Sequence, residues 1–239
     1  MSFFVKNKMY PHFIWRRFVL MITFGDIKNN EEIKTCIIRG DELLKMCGYT
    51  EHSFVHAGVV SGRAAAVLKD LGYSEKYIEL ARIAGYVHDI GNMVNRNDHA
   101  QSGAILAYNI LIRMGMEIPD AVTVASAVGN HDEGTGNAVD PVSAAVILAD
   151  KSDVRNTRVR RKNRTSYDIH DRVNSAVKHS DIVIDNKNMK ILLNMEIDTD
   201  ISSVMDYFEI FLNRMLMCRK SAEFFGMKLV INANNMRLL

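Results

Sequence analysis

The sequence predicts a mainly α-helical domain to about residue 155, followed by a small α+β unit. Two observations carry that expectation. Between residues 30 and 150, apolar side chains recur at three- and four-residue spacing, punctuated by capping residues and glycine stops. After residue 180 the pattern becomes strand-like, with two apolar runs either side of Asp185-Asn186-Lys187-Asn188. The chain has 239 residues, enough for one large domain or two small ones with a sizeable core. Its 48% hydrophobic and 24% charged content is ordinary for a globular protein.

Residues 1 to 28 read as an N-terminal extension. Phe18 to Phe24 form an uncharged run too short to span a bilayer, and no small-residue cleavage site follows. An aromatic, basic segment of this kind also suits a membrane surface, and Met21 is a candidate alternative start. Residues 29 to 155 are the helical domain. In it Ile33, Cys36, Ile37, Leu43, Leu44 and Cys47 mark an amphipathic helix interrupted near Gly40. Thr50 and Ser53 begin a second helix carrying His56 and ending at Gly72. Ser74 caps a third that delivers His88 and Asp89 at its end. A loop from 91 to 98 leads to a helix over 99 to 114, so His99 is expected in an exposed first turn. Pro119 and Asp120 open the next helix, which runs to His131. Asp140 then Pro141 starts the one ending at Asp150.

Residues 156 to 179 form a basic connector and a short helix through Ile169, Val173, Ala176 and Val177. Residues 180 to 239 make a ββαβ unit, with strands over 181 to 184 and 190 to 197, a helix over 201 to 225 and a strand over 227 to 231. The run containing Arg155, Arg158, Arg160, Arg161, Lys162 and Arg164 has no interleaved aromatics. It reads as a solvated connector, with nucleic acid or anionic lipid as the other use of such charge. A net charge of +2 implies no polyanion partner by itself. Cys36, Cys47 and Cys218 form no paired motif and fit reduced thiols in a cytoplasmic protein.

The chemistry centres on Tyr86-Val87-His88-Asp89-Ile90-Gly91. His88 falls on the helix face of Tyr77, Ala81 and Ala84, where an imidazole and its neighbouring carboxylate are costly unless something pairs with them. His56, His99, His131 and Asp150 lie in or at the ends of similar apolar segments. Imidazoles with carboxylates are a ligand set for divalent transition metals. In this order, over roughly residues 51 to 155, they resemble the HD superfamily of metal-dependent phosphohydrolases.

That resemblance implies a helical HD-type domain hydrolysing a phosphate mono- or diester with a metal-activated hydroxide. The substrate class is a nucleotide or related small molecule. Asp89 has two oxygens and can bridge two ions. His56, His88, Asp89 and Asp150 are assigned to a first divalent ion (Mn, Fe or Mg), and Asp89, His99 and His131 to a second. Binuclear members of the superfamily carry such additional histidines. Its cyclic-dinucleotide branch reads His-Asp-Ile-Gly-Lys, then a double histidine, then Gly-Tyr-Pro. Here Asn92, His131-Asp132 and Gly134-Thr135-Gly136 stand in those places, which argues against a cyclic dinucleotide and leaves the metal centre in place.

Asp89 and Asp132 are candidate catalytic residues, Asp132 either orienting His131 and a water or lying solvated in its loop. Glu133 reads as a solvated loop carboxylate. Lys151 (as a catalytic or substrate-binding group) and Arg155 are candidates for neutralising a substrate phosphate, with a charged helix end facing water the other reading. His12, His52, His170 and His179 read as surface histidines. No transmembrane segment is expected, a nucleic-acid partner is not favoured, and a homo-oligomer is compatible with the sequence. Two other readings are a catalytically degenerate metal- or nucleotide-binding regulatory module and an RNA-directed phosphodiesterase using the basic run.

Overall fold

The computed structural model describes residues 22–160 and 169–238. Most of the N-terminal stretch, and Arg161, Lys162 and Arg164 of the basic run, lie outside the described residues. The described chain is a mainly helical domain followed by a small four-stranded sheet with a helix.

The helical part comprises α1 (Phe24–Asn29), α2 (Glu31–Met46), α3 (Phe54–Asp70), α4 (Glu75–Val87), α5 (His99–Met114), α6 (Ile118–Gly129) and α7 (Pro141–Lys151). At its centre is α7, in which Val142, Ala144, Ala145, Val146, Ile147, Leu148 and Ala149 are all buried. A helix apolar on every side needs neighbours on every side, and α3, α4, α6 and the later α9 supply them. Asp140 and Ser143 form a capping box that sets where it starts. Ser53 caps the start of α3, its hydroxyl accepting from the Val55 amide.

Gly40 does not interrupt α2. Its missing side chain lets the helix press against the 3-10 turn Ile90–Met93, where a Cβ would lie 3.3 Å from both Asn92 Cβ and the Met93 nitrogen. The glycine serves packing, a role that sequence spacing alone does not separate from helix breaking.

After residue 168 come α8 (Ile169–Ala176), β1 (Val177–Asp185), β2 (Lys190–Ile197), α9 (Val204–Phe224), β3 (Lys228–Ala233) and β4 (Met236–Arg237). Strand order is β1-β2-β3-β4, antiparallel except for the parallel β2–β3 pair that α9 connects. Val177, expected to end the helix, begins β1. The short β4 was not anticipated. Asn234 (φ 49°) and Asn235 (φ 63°) turn the chain back in left-handed conformations that asparagine tolerates.

The two units are joined by hydrogen bonds. Arg63 on α3 donates to Ser152 Oγ at 2.9 Å and to the Ser180 carbonyl, and Ser180 Oγ donates to the Ser152 carbonyl at 2.7 Å. The described part of the basic run is a bracket as well. Arg158, buried rather than solvated, donates from Nε to the Glu51 carbonyl (2.9 Å) and from Nη1 to that of Asp153 (2.7 Å). Arg160 pairs with Asp41 and donates to the Tyr49 carbonyl. These guanidiniums meet the chain's own carbonyls, at Tyr49 and Glu51 in the α2–α3 loop and at Asp153 after α7, rather than solvent alone. Among the described residues no helix is long and apolar enough to cross a membrane.

Cys47 is exposed, whereas Cys36 and Cys218 are buried, and burial pushes the Cys218 thiol up to about 12. A thiol reagent at pH 8 is therefore expected to label one cysteine rapidly in the native protein and all three after unfolding. Rapid native labelling of Cys218 would contradict the packing of α9.

Candidate metal centre

Two of the four histidines, His88 and His131, are placed by one local rule. An α-helix leaves its last carbonyls without amide partners. His88 caps the end of α4 and gives its Nδ1 proton to the Gly85 carbonyl three residues back, at 2.8 Å. His131 follows α6 and does the same to Val128, at 2.6 Å. His99 opens α5 and donates to Arg96, at 2.9 Å. His56, in the first turn of α3, uses the buried Asp153 carboxylate at 2.8 Å instead. With every Nδ1 engaged, each ring turns its Nε2 toward the same carboxylate. Adjacent rings stand edge to face with centroids 4.9–5.0 Å apart.

Two carboxylates meet these nitrogens. Asp89 Oδ2 lies 3.1 Å from His88 Nε2 and 3.6 Å from His56 Nε2. Its other oxygen lies 3.4 Å from His99 Nε2 and 3.7 Å from His131 Nε2. Asp150 Oδ1 lies 3.3 Å from His56 Nε2 and 3.7 Å from His88 Nε2. Despite this proximity, His56 Nε2 and His88 Nε2 are buried without a hydrogen bond. His99 Nε2 faces His131 Nε2 at 3.1 Å. Nitrogens this close to one another and to carboxylate oxygens repel unless a proton or a metal cation lies between them.

The electrostatics agree. Burial disfavours charge on Asp89 and Asp150, but His88 beside the first and Lys151 beside the second hold both carboxyls well below their ordinary range. Burial opposes charge on His88 too, and Asp89 more than offsets it, raising that imidazole. His99 is pushed down to about 4 by burial, with His131 and Arg96 adding to the effect. The cleft therefore draws positive charge to the carboxylates and keeps His99 an unprotonated donor.

The residues singled out in the sequence converge unevenly. Ligand atoms of His56, His88 and Asp150 lie within 4.8 Å of one another, as do those of His88, Asp89 and His131. His99 flanks the second group. It is buried, not exposed, because Gly91 lets the turn after Asp89 lie directly on the start of α5. A Cβ on Gly91 would fall 1.9 Å from the His99 carbonyl oxygen. Asp132 sits at the rim, 3.9 Å from His99 Nε2. Lys151 Nζ holds Asp150 Oδ2 at 2.7 Å and Glu133 Oε1 at 3.3 Å. Arg155 grips Asp153 through Nε (2.5 Å) and Nη2 (2.9 Å), bracing His56 from behind.

Other groups at the site went unrecognised in the sequence. Asn92, noted only as a departure from lysine, donates to Asp89 Oδ1 at 2.8 Å and orients that carboxylate. Arg96 lies 3.3 Å from His99 Nε2 and 3.8 Å from Asp89 Oδ1. His52 is not a free surface group, since its ring meets that of His56 edge to face at 5.4 Å and its Nδ1 is bound to the Thr50 carbonyl. Arg214 of α9 reaches Glu133, 2.8 Å from Oε1.

The helical domain thus gathers four imidazoles and two carboxylates into a largely buried cluster that could hold a metal ion, and a small sheet unit follows it in the chain. Residues 54–156 match the model of the HD domain, so the chain carries an HD domain there. It is also similar to an uncharacterized protein of Methanocaldococcus jannaschii, 29% identical over 171 residues. That similarity covers 62% of this chain and 65% of the relative, so the chain spans less than two thirds of the relative's length. Among solved structures it is similar to one titled a predicted HD superfamily hydrolase, from an uncultured Thermotogales bacterium. The two share 24% identity and a TM-score of 0.38, over 49% of this chain and 66% of that one.

Proposed function

We propose that the protein is a metal-dependent phosphohydrolase that cleaves a phosphate mono- or diester of a nucleotide or related small molecule. The observation that carries this is the set of four imidazoles, each with Nδ1 committed and Nε2 aimed at carboxylate oxygens. Such a donor set fits divalent cations, and nothing in ordinary core packing calls for it. His56, His88, Asp89 and Asp150 would hold one ion, and Asp89, His99 and His131 a second. When bound, the metal supplies Lewis acidity, lowering the pKa of water and neutralising phosphate charge.

The chain's own residues arrange the rest. Asn92 fixes the rotation of Asp89 so that its two oxygens face the two histidine pairs. Asp153 fixes the tautomer of His56. Lys151 places positive charge beside Asp150, where a substrate phosphate would be neutralised. Asp132, at the rim beside His99, is positioned to accept a proton or orient a water.

Metal uptake tests this together with a screen of phosphomonoesters, phosphodiesters and nucleotides. The purified protein is expected to take up two divalent ions per chain, and His99→Ala and His131→Ala each to lower that towards one without loss of helical content. A stoichiometry of one that neither substitution changes would sink the two-ion assignment.

A further inference from the structure

Beside the metal centre, one carboxylate oxygen takes two cations. Glu133 Oε1 lies 3.3 Å from Lys151 Nζ and 2.8 Å from Arg214 Nε. The three side chains differ in how they are held. Lys151 is in the last turn of α7 and is buried. Arg214 is on α9, its guanidinium over the Phe211 ring at 4.6 Å, one turn beyond the bend that Phe211 makes in that helix (φ −109°, ψ 19°). Glu133, by contrast, sits in a turn leading into Gly134-Thr135-Gly136, with its side chain 31% exposed. The cations are fixed by helix packing and the anion between them is carried on a loop.

We propose that Lys151 and Arg214 form an anion subsite for the phosphate of substrate or product, and that Glu133 fills it until a phosphate displaces its carboxylate. The subsite rests on the function proposed above and adds to it a residue from the C-terminal unit. Glu133 is the exposed member of this cluster and meets both cations through one oxygen, whereas a phosphate offers several oxygens for charge-assisted hydrogen bonds to Lys151 and Arg214 together. Arg214 occurs in a stretch without a motif, so only the fold reveals its position.

The probe is inorganic phosphate, titrated calorimetrically into the full chain, once in EDTA and once loaded with Mn²⁺. Arg214→Met is expected to weaken phosphate binding about tenfold, the scale of one charged hydrogen bond, and Arg214→Lys to recover part of the loss. Glu133→Gln removes the competing carboxylate and is expected to tighten binding. An ion pair with only a structural role would make both substitutions act in the same direction. The subsite is overturned by a wild type that binds no phosphate in either condition, by unchanged affinity in Arg214→Met, or by Glu133→Gln weakening binding. Should Arg214→Met fail to fold, Glu133→Gln decides alone: tightening upholds the subsite, and no change or weakening overturns it. Failure of the wild type to take up Mn²⁺ would count against the proposed function, and the EDTA titration reads the subsite independently of that result.

Discussion

Asp89→Asn is expected to strip divalent metal from the protein and lower phosphate-ester hydrolysis by more than about 10³-fold, about 4 kcal/mol of transition-state stabilisation. Helical content should stay close to wild type. Among the described residues, Asp89 is the side chain whose two oxygens face both pairs of histidines. An amide keeps the shape but offers a neutral oxygen on one side and N–H donors on the other. It can still meet Asn92, so the local fold has little reason to change. Excess Mn²⁺ should restore part of the occupancy but little of the turnover. Metal analysis, circular dichroism and turnover on the same preparation separate the outcomes. An Asp89→Asn protein with full metal content and undiminished hydrolysis would remove the basis of the proposed function.

Asp153→Ala is expected to destabilise the metal-free protein by about 3–5 kcal/mol, the range for breaking a buried ion pair. Metal affinity should fall about tenfold or more. The Asp153 carboxylate is wholly buried and receives His56 Nδ1 together with two nitrogens of Arg155. Without it a guanidinium loses its counter-charge and His56 loses the group that sets its tautomer. Burial alone would raise this carboxyl, but the hydrogen bonds from His56 and Arg155 outweigh it and hold the pKa low. The stabilisation is therefore present above the ordinary carboxylate range and is lost only as pH falls toward the depressed value. Asp153→Asn, which keeps an acceptor, should cost less. Urea unfolding in EDTA reads the stability and Mn²⁺ titration the affinity. A metal-free Asp153→Ala protein within about 1 kcal/mol of wild type would refute the bracing role.

How much of this is legible in the chain depends on how local the cause is. Ser53, Asp140 and Pro141 act within a turn of themselves, and the helices they start lie where spacing places them. The imidazoles could be read by residue type and order. The device that His88 and His131 share, a ring at a helix end bound to the carbonyl three residues earlier, is also local and would have marked them as oriented groups. Long-range partners leave no such trace. Nothing near Asp153 in sequence points to His56, nor anything near Arg214 to Glu133. The burial of His99 depends on Gly91 meeting α5, and Gly40 reads as a breaker until its neighbour Asn92 is seen across the interface.

The burial of α7 has a consequence for where the molecule can be divided. The HD match ends at residue 156, yet α7 is apolar around its whole circumference and part of that circumference is covered by α9, some fifty residues later. A polypeptide ended at residue 156 would present that side of its central helix to water and would leave Arg63 without its Ser180 partner. The boundary of family likeness is therefore not a boundary of folding autonomy. The sheet unit completes the same cooperative core that carries the histidines, and truncating one would weaken the other.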